Sequence, residues 1–187
     1  ATSIRRALSH GKDIRKAVPD VTLSHFKKSK WHFLDDYFPF LKYKIMTSKD
    51  LSIYQTVDEG IEHRIQEQIK KATNFDELIQ SIKTKRYTYN KIRRMLNHIL
   101  CDFTKEEAGR MQEITYVRIL DFSKKGQQYL NKIKKQVHLP LITNFSKLKH
   151  EMLDLEYRVT SVYAATLPEL DKITLMEEEY KHHPNVW

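Results

Sequence analysis

Cysteine is nearly absent: Cys101 stands alone among 187 residues. No internal disulfide can form, which fits a reducing compartment and a cytoplasmic location. The same scarcity leaves no Cys/His spacing for zinc, and nine scattered histidines supply no ligand-like pattern. Glycine and proline number only four and five, which argues against a turn-rich sandwich or barrel and for helices with short connections. No apolar run reaches the roughly 18 residues of a membrane span. Signatures of catalysis are missing as well. There is no GxSxG, HExxH, HxGH or glycine-rich phosphate loop, and Cys101 has no identified His/Asp partnership, so no independent catalyst is expected.

What the chain has is positive charge. Lysine and arginine total 33 against 24 acids, a formal net charge of +9, and such an excess points to a polyanionic partner, most often nucleic acid. With 40% apolar residues the chain can bury a core, as one domain or two. Residues 1–30 read as a basic arm of short helical pieces broken at Gly11 and Pro19. It carries Arg5, Arg6, Lys12, Arg15, Lys16, Lys27, Lys28 and Lys30 against Asp13 and Asp20. At its start, ATSIRRAL places Thr2 and Ser3 as an N-cap signal. Free N–H groups at such an end also suit an anion, on which Arg5 and Arg6 could close. An ordinary capped helix with solvated arginines is the alternative.

Residues 31–112 read as helical. WHFLDDYFPFLKYKIM (31–46) suits a helix buried on one face and interrupted near Pro39. Thr56-Val-Asp-Glu59 reads as a capping box opening a helix with Val57, Ile61, Ile65 and Ile69 in one stripe. Thr73-Asn-Phe-Asp76 opens another, with Phe75, Leu78, Ile79 and Ile82 inward, and the two suggest an antiparallel pair. In KTKRYTYNKIRRMLNHIL (83–100), Tyr89, Ile92, Leu96, Ile99 and Leu100 share one sector of a helical wheel, with Lys91, Arg94, Asn97 and His98 opposite. Lys83, Lys85, Arg86, Lys91, Arg93 and Arg94 make six cations without an acid, interleaved with Tyr87 and Tyr89. Phosphates and exposed bases are held by this combination, although a plain solvated cationic face has the same pattern.

Thr104-Lys-Glu-Glu107 reads as a further capped helix, after which the period changes. EITYVRILDF (113–122) and LPLITN (139–144) read as strands flanking a helix from a Ser123 cap, a βαβ unit with parallel strands. Between Lys124 and Lys149 lie seven lysines and no acid. Residues 146–166 are helical in period, with Leu148, Met152, Leu155, Val159, Val162 and Tyr163 as the apolar face. After Pro168 an acidic tail follows, solvated or docked on a basic face of its own molecule. His182 and His183 lack a third ligand for a metal. The predicted fold class is therefore mostly α (α+β), a helical domain with one small βαβ element, and no metal site is expected.

Taken in order, several of these stretches resemble one family. ATSIRRAL resembles the end of the SxTxIR-type motif of the nucleotidyltransferase superfamily. KTKRYTYNKIRRMLNHIL, YVRILDFSKKGQQYL, LPLITN and LDLEYRVTSVYA follow in the order of the C-terminal half of the bacterial tRNA(Met) cytidine acetate ligases, from Ala1 to about Ala165. The resemblance implies an N-terminal Rossmann-like, HIGH-type domain outside this chain, so that the chain would be a C-terminal fragment. It also implies ATP as cofactor, elongator tRNA(Met) as partner, and N4-acetylation of the wobble cytidine through acetyl-adenylate. In that scheme Thr2, Ser3, Arg5 and, less centrally, Arg6 belong to the nucleotide site. Lys83, Lys85, Arg86, Tyr87, Lys91, Arg93 and Arg94 face the tRNA. Arg158, Thr160 and Tyr163 match a recurring family pattern, with Ser161 where an aspartate is common. The implied organisation is a basic arm (1–30), a helical tRNA-binding region (31–112), a βαβ-helix region (113–168) and the acidic tail (169–187). A helical interaction or dimerisation module is the rival reading. An autonomous nucleotide-binding enzyme built around ATSIRR is a third.

Overall fold

The computed structural model describes residues 2–26, 31–181 and 184–187, without the side chains of Thr2, His25 and Asn185. Lys27, Lys28, Lys30, His182 and His183 therefore lie outside the described residues. Two compact units divide the chain, one ending at Tyr37 and one beginning at Phe38.

The first unit holds α1 (Thr2–Ser9), α2 (Asp20–Phe26) and a 3-10 turn, Leu34–Tyr37. Helix α1 stops where Gly11 takes φ 63°. The Lys12 N–H then donates to Ala7 O at 2.8 Å and the Gly11 N–H to Leu8 O at 3.0 Å, a Schellman ending. Just beyond, Asp13 accepts from the Arg15 side chain and backbone, and these bonds pull its carboxyl down to about 2.

The second unit opens with α3 (Phe38–Thr47), α4 (Ile61–Gln68), α5 (Phe75–Ile82), α6 (Tyr89–Leu100) and α7 (Lys105–Arg110). Their inward stripes make the main core, in which Leu41, Ile45, Ile65, Leu78, Ile79, Ile82, Ile92, Met95, Leu96 and Ile99 are fully buried. Truncating any one of these to alanine costs about 2–5 kcal/mol, because the cavity left behind adds to the lost transfer energy. Pro39 does not interrupt α3; it occupies the first turn, where its missing N–H has no helical acceptor to lose. The Val57/Ile61/Ile65/Ile69 stripe is buried as expected. Its capping box is not formed: Thr56 and Glu59 both have positive φ, and α4 starts behind a left-handed Gly60. At α5 the cap is Asn74, which accepts from the Glu77 N–H, while Glu77 Oε2 takes the Thr73 N–H at 2.8 Å. Thr104 and Glu107 form a complete capping box on α7.

The remaining elements are β1 (Val117–Arg118), β2 (Asp121–Phe122), α8 (Lys124–Ile133), β3 (Leu141–Ile142), a 3-10 turn Phe145–Lys147, α9 (Glu151–Ala164), α10 (Glu169–Lys181) and β4 (Asn185–Val186). Strands β1 and β3 pair in parallel, Val117 with Leu141 and Arg118 with Ile142, across α8. The molecule is helix-rich with small parallel sheets. The single ten-residue strand expected over 113–122 is instead two short ones, because the partner changes: β2 pairs in parallel with β4. Helix α9 also differs from expectation. It starts at Glu151, capped by His150 Nδ1 accepting the Met152 N–H, and it buries Leu153 and Ala164 while Val159 and Tyr163 stay exposed. Ile142, Phe145 and Leu153 form a second, smaller core. No helix among the described residues is long and apolar enough to cross a membrane.

Candidate functional site

On α1, Ser3 and Arg6 line one shallow cleft of about 340 Å³ with Ala7, His10 and Lys12. These positions share a face because three or four residues make one helical turn. His10 Nδ1 donates to Arg6 O at 2.7 Å, so that ring nitrogen carries the proton. Arg5 is exposed and lies off this stripe. The Thr2 side chain lies outside the described residues.

The second predicted cluster is divided by the fold. Residues 83–88 are not helical; α6 begins only at Tyr89. Lys83, Lys85, Arg86, Lys91 and Arg94 are exposed and Arg93 is half-buried. Tyr87 is only 7% exposed and cannot stack on a base as expected. Its hydroxyl donates to Asp58 O at 2.8 Å and Glu59 Oε2 at 3.1 Å, and burial together with that carboxylate pushes the phenol above its ordinary range. Lys91 Nζ sits 4.5 Å from the Tyr87 ring centroid, a cation–π contact. Arg86 is not acid-free either, because it bonds the Glu59 carboxylate. Tyr89 donates to Asp76 at 2.5 Å. The cationic face thus rests on tyrosines spent on internal bonds.

The residues that sequence reasoning missed are those of the loop before α4. Its left-handed Thr56 (φ 68°) is strained for a β-branched residue. It persists because several bonds fix it: the Gln55 N–H donates to Phe103 O at 3.0 Å, His98 Nδ1 donates to Gln55 O at 2.8 Å, and Lys105 Nζ reaches Val57 O at 2.8 Å and Asp58 at 2.6 Å. His98, assigned to the basic face, therefore faces this loop. The only hint in the sequence was Gly60, which tolerates φ 82° at the helix start.

Arg158 is engaged in structure: its Nη2 donates to both Glu107 oxygens, at 2.9 and 3.0 Å, tying α9 to α7. Burial pushes the Cys101 thiol above its ordinary range. Among the described residues, no group of three or more His, Cys, Asp or Glu side chains could hold a metal ion. The acidic tail docks rather than dangles. On α10, Glu179 meets Arg118 at 2.9 Å, and Arg118 also bonds Glu156 at 2.6 Å.

The seven lysines between Lys124 and Lys149 remain without ion-pair partners among the described residues. Lys134, Lys135 and Lys147 rim a cleft of about 780 Å³ beside α8.

Against known proteins, residues 1–178 match the family described as HIGH nucleotidyl transferase. The tRNA(Met) cytidine acetate ligase of Geobacillus sp. (strain WCH70) is 39% identical over 98% of this chain and 49% of its own length. That of Bacillus cereus (strain Q1) is 37% identical over 98% of this chain and 50% of its own length. The chain therefore spans about half the length of these curated relatives. Crystal structures of Thermotoga maritima TmcAL, apo (form I) and bound with alpha-thio ATP (form II), superpose with a TM-score of 0.82. They are 21% identical, cover 99% of this chain and share 50% and 51% of their own lengths with it. At that identity the likeness is one of fold.

Proposed function

The chain belongs to the HIGH nucleotidyl transferase family, and from that membership we propose that it is the C-terminal, RNA-handling part of an ATP-dependent tRNA(Met) cytidine acetate ligase. In this reading a preceding nucleotidyltransferase domain activates acetate with ATP to acetyl-adenylate, with pyrophosphate as the leaving group. The wobble cytidine amine of elongator tRNA(Met) then attacks the acyl carbon, giving N4-acetylcytidine and AMP. The observation that carries the reading is the match of 98% of this chain to ligases at 39% and 37% identity.

The division of labour follows from the residues. Ser3 and Arg6, joined by His10 and Lys12, would supply one wall beside the nucleotide phosphates, and Thr2 and Arg5 stay part of the proposed nucleotide site. Lys83, Lys85, Lys91, Arg93 and Arg94 would contact tRNA phosphates. Arg86 and Tyr87 hold that surface to the Asp58–Glu59 loop. Phosphate neutralisation releases counterions, so affinity should drop steeply with salt. The test is a gel shift at moderate salt with elongator tRNA(Met): replacing Lys85, Lys91 and Arg94 together by alanine should weaken binding at unchanged thermal stability. Unaltered binding would remove this surface from the reading.

A second reading, a helical interaction or dimerisation module, draws on the exposed Phe40, Tyr43 and Met46 of α3. Sedimentation separates the two: a tight dimer indifferent to RNA favours the module.

A further inference from the structure

We propose that the cleft beside α8 is a second RNA-binding site, one that takes an unpaired nucleotide and its flanking phosphates; it rests on the reading of the chain as an RNA-handling domain. The cavity holds about 780 Å³, within the ~300–1,000 Å³ range of sites that take small ligands. Its floor is apolar. Phe122, Leu130, Leu139 and Leu141 line it and each stays half-exposed, so the native fold leaves this surface wet. Its rim is cationic: Lys134, Lys135 and Lys147 are all exposed. None has an ion-pair partner among the described residues, and Lys134 only reaches Asn131 Oδ1, at 3.3 Å.

Charge and shape together choose the occupant. An apolar peptide would satisfy the floor and leave three ammonium groups beside it without counter-charge. A regular duplex would satisfy the lysines but offers phosphates and sugars, not a flat apolar face, to the floor. A single strand supplies both, since a splayed base covers apolar and aromatic surface while its phosphates meet the rim. Asn131 and Gln127, also on the lining, place amide donors and acceptors where a base edge would lie. This surface shares no residue with the cationic face of Lys83–Arg94, so the two can be separated by mutation.

The experiment is fluorescence anisotropy on the 187-residue chain, with labelled elongator tRNA(Met), a single-stranded oligoribonucleotide and an RNA duplex as probes. Lys134→Ala/Lys135→Ala/Lys147→Ala alters exposed side chains and should keep the wild-type melting temperature. Each single-strand phosphate contact contributes about 0.7 to the salt slope, so losing three should lower the slope by about 2 and, near ~0.15 M salt, weaken binding tens of fold. A second variant, Leu139→Asp, places a carboxylate in the floor and should weaken the single-stranded probe at least as strongly, with the duplex unaffected. If the triple variant binds tRNA like wild type while Lys85→Ala/Lys91→Ala/Arg94→Ala loses it, the cleft proposal falls and the functional reading stands. If neither variant changes binding, both fall. Equal losses for single strand and duplex would overturn the unpaired-nucleotide assignment. So would a lysine-dependent attachment to phosphatidylserine vesicles with no effect on RNA.

Discussion

At the scale of single residues, Glu107 shows how one carboxylate joins several elements. It closes the α7 capping box with Thr104 and receives two bonds from Arg158. Burial raises its pKa, but the Thr104 N–H and the Arg158 guanidinium outweigh that and hold it below its ordinary 4.5. A carboxyl depressed in the fold stabilises above its unfolded pKa, and that contribution disappears as pH falls through the folded value. Glu107→Gln should therefore cost about 1–3 kcal/mol at pH 7, through the lost charge-assisted bonds to a half-buried arginine. The difference from wild type should close as pH drops below 4.5. Urea unfolding at a series of pH values measures both, and an unchanged midpoint at neutral pH would refute the role. The Glu107 bond to its own cap was legible in the sequence because capping is local. The arginine 51 residues away was not, because nothing in a linear pattern brings α9 beside α7.

The same contrast between local and distant causes runs through the elements. Helices announced by a short polar side chain at the cap are found close to where their spacing put them, as with α5, α7 and α8. Thr56 failed as a cap because contacts from Phe103, His98 and Lys105 force the loop into a left-handed turn. Tyr87 read as exposed because its neighbours are charged, yet it is buried by a loop nearly thirty residues earlier. The sequence shows α10 only as acidic composition; in the fold it packs against α9 and the Phe145–Lys147 turn and pairs with Arg118 of β1. Arg118 carries that docking. It lies 4.3 Å from the Phe145 ring centroid and bonds both Glu156 and Glu179. Its side chain and that of Glu179 are each 20% exposed, so screening by water is limited. Glu179→Gln leaves the shape unchanged and removes one charge of the triad. Amide exchange should then accelerate about tenfold across Glu169–Lys181, the equivalent of roughly 1.4 kcal/mol in local opening, with α6 unaffected. Acceleration spread equally over α6 would show that α10 does not open on its own.

Over the molecule as a whole, charge is sorted rather than mixed. Acids are drawn into pairs with Arg86, Lys105, Arg118 and Arg158. The lysines of 124–149 are left facing water, so the surplus of +9 concentrates where a polyanion can reach it. A field of that sign binds and steers RNA, but chemistry on a triphosphate demands more. Stabilising the charge that develops when a carboxylate attacks the α-phosphate takes donors aimed from several directions around the reacting atoms. The α1 cleft offers Ser3, Arg6, His10 and Lys12 from a single helix and the residues following it. If the proposed division of labour holds, the 187-residue chain should bind elongator tRNA(Met) with a log–log salt slope steeper than about −3, the mark of several phosphate contacts. Given ATP, acetate and that tRNA, it should release no AMP above background. Radiolabelled ATP followed by thin-layer chromatography, run beside a salt titration of binding, reads both. Acetate-dependent AMP from this chain alone would place the chemistry here and overturn the division. Binding insensitive to salt would instead remove the electrostatic basis on which the RNA reading stands.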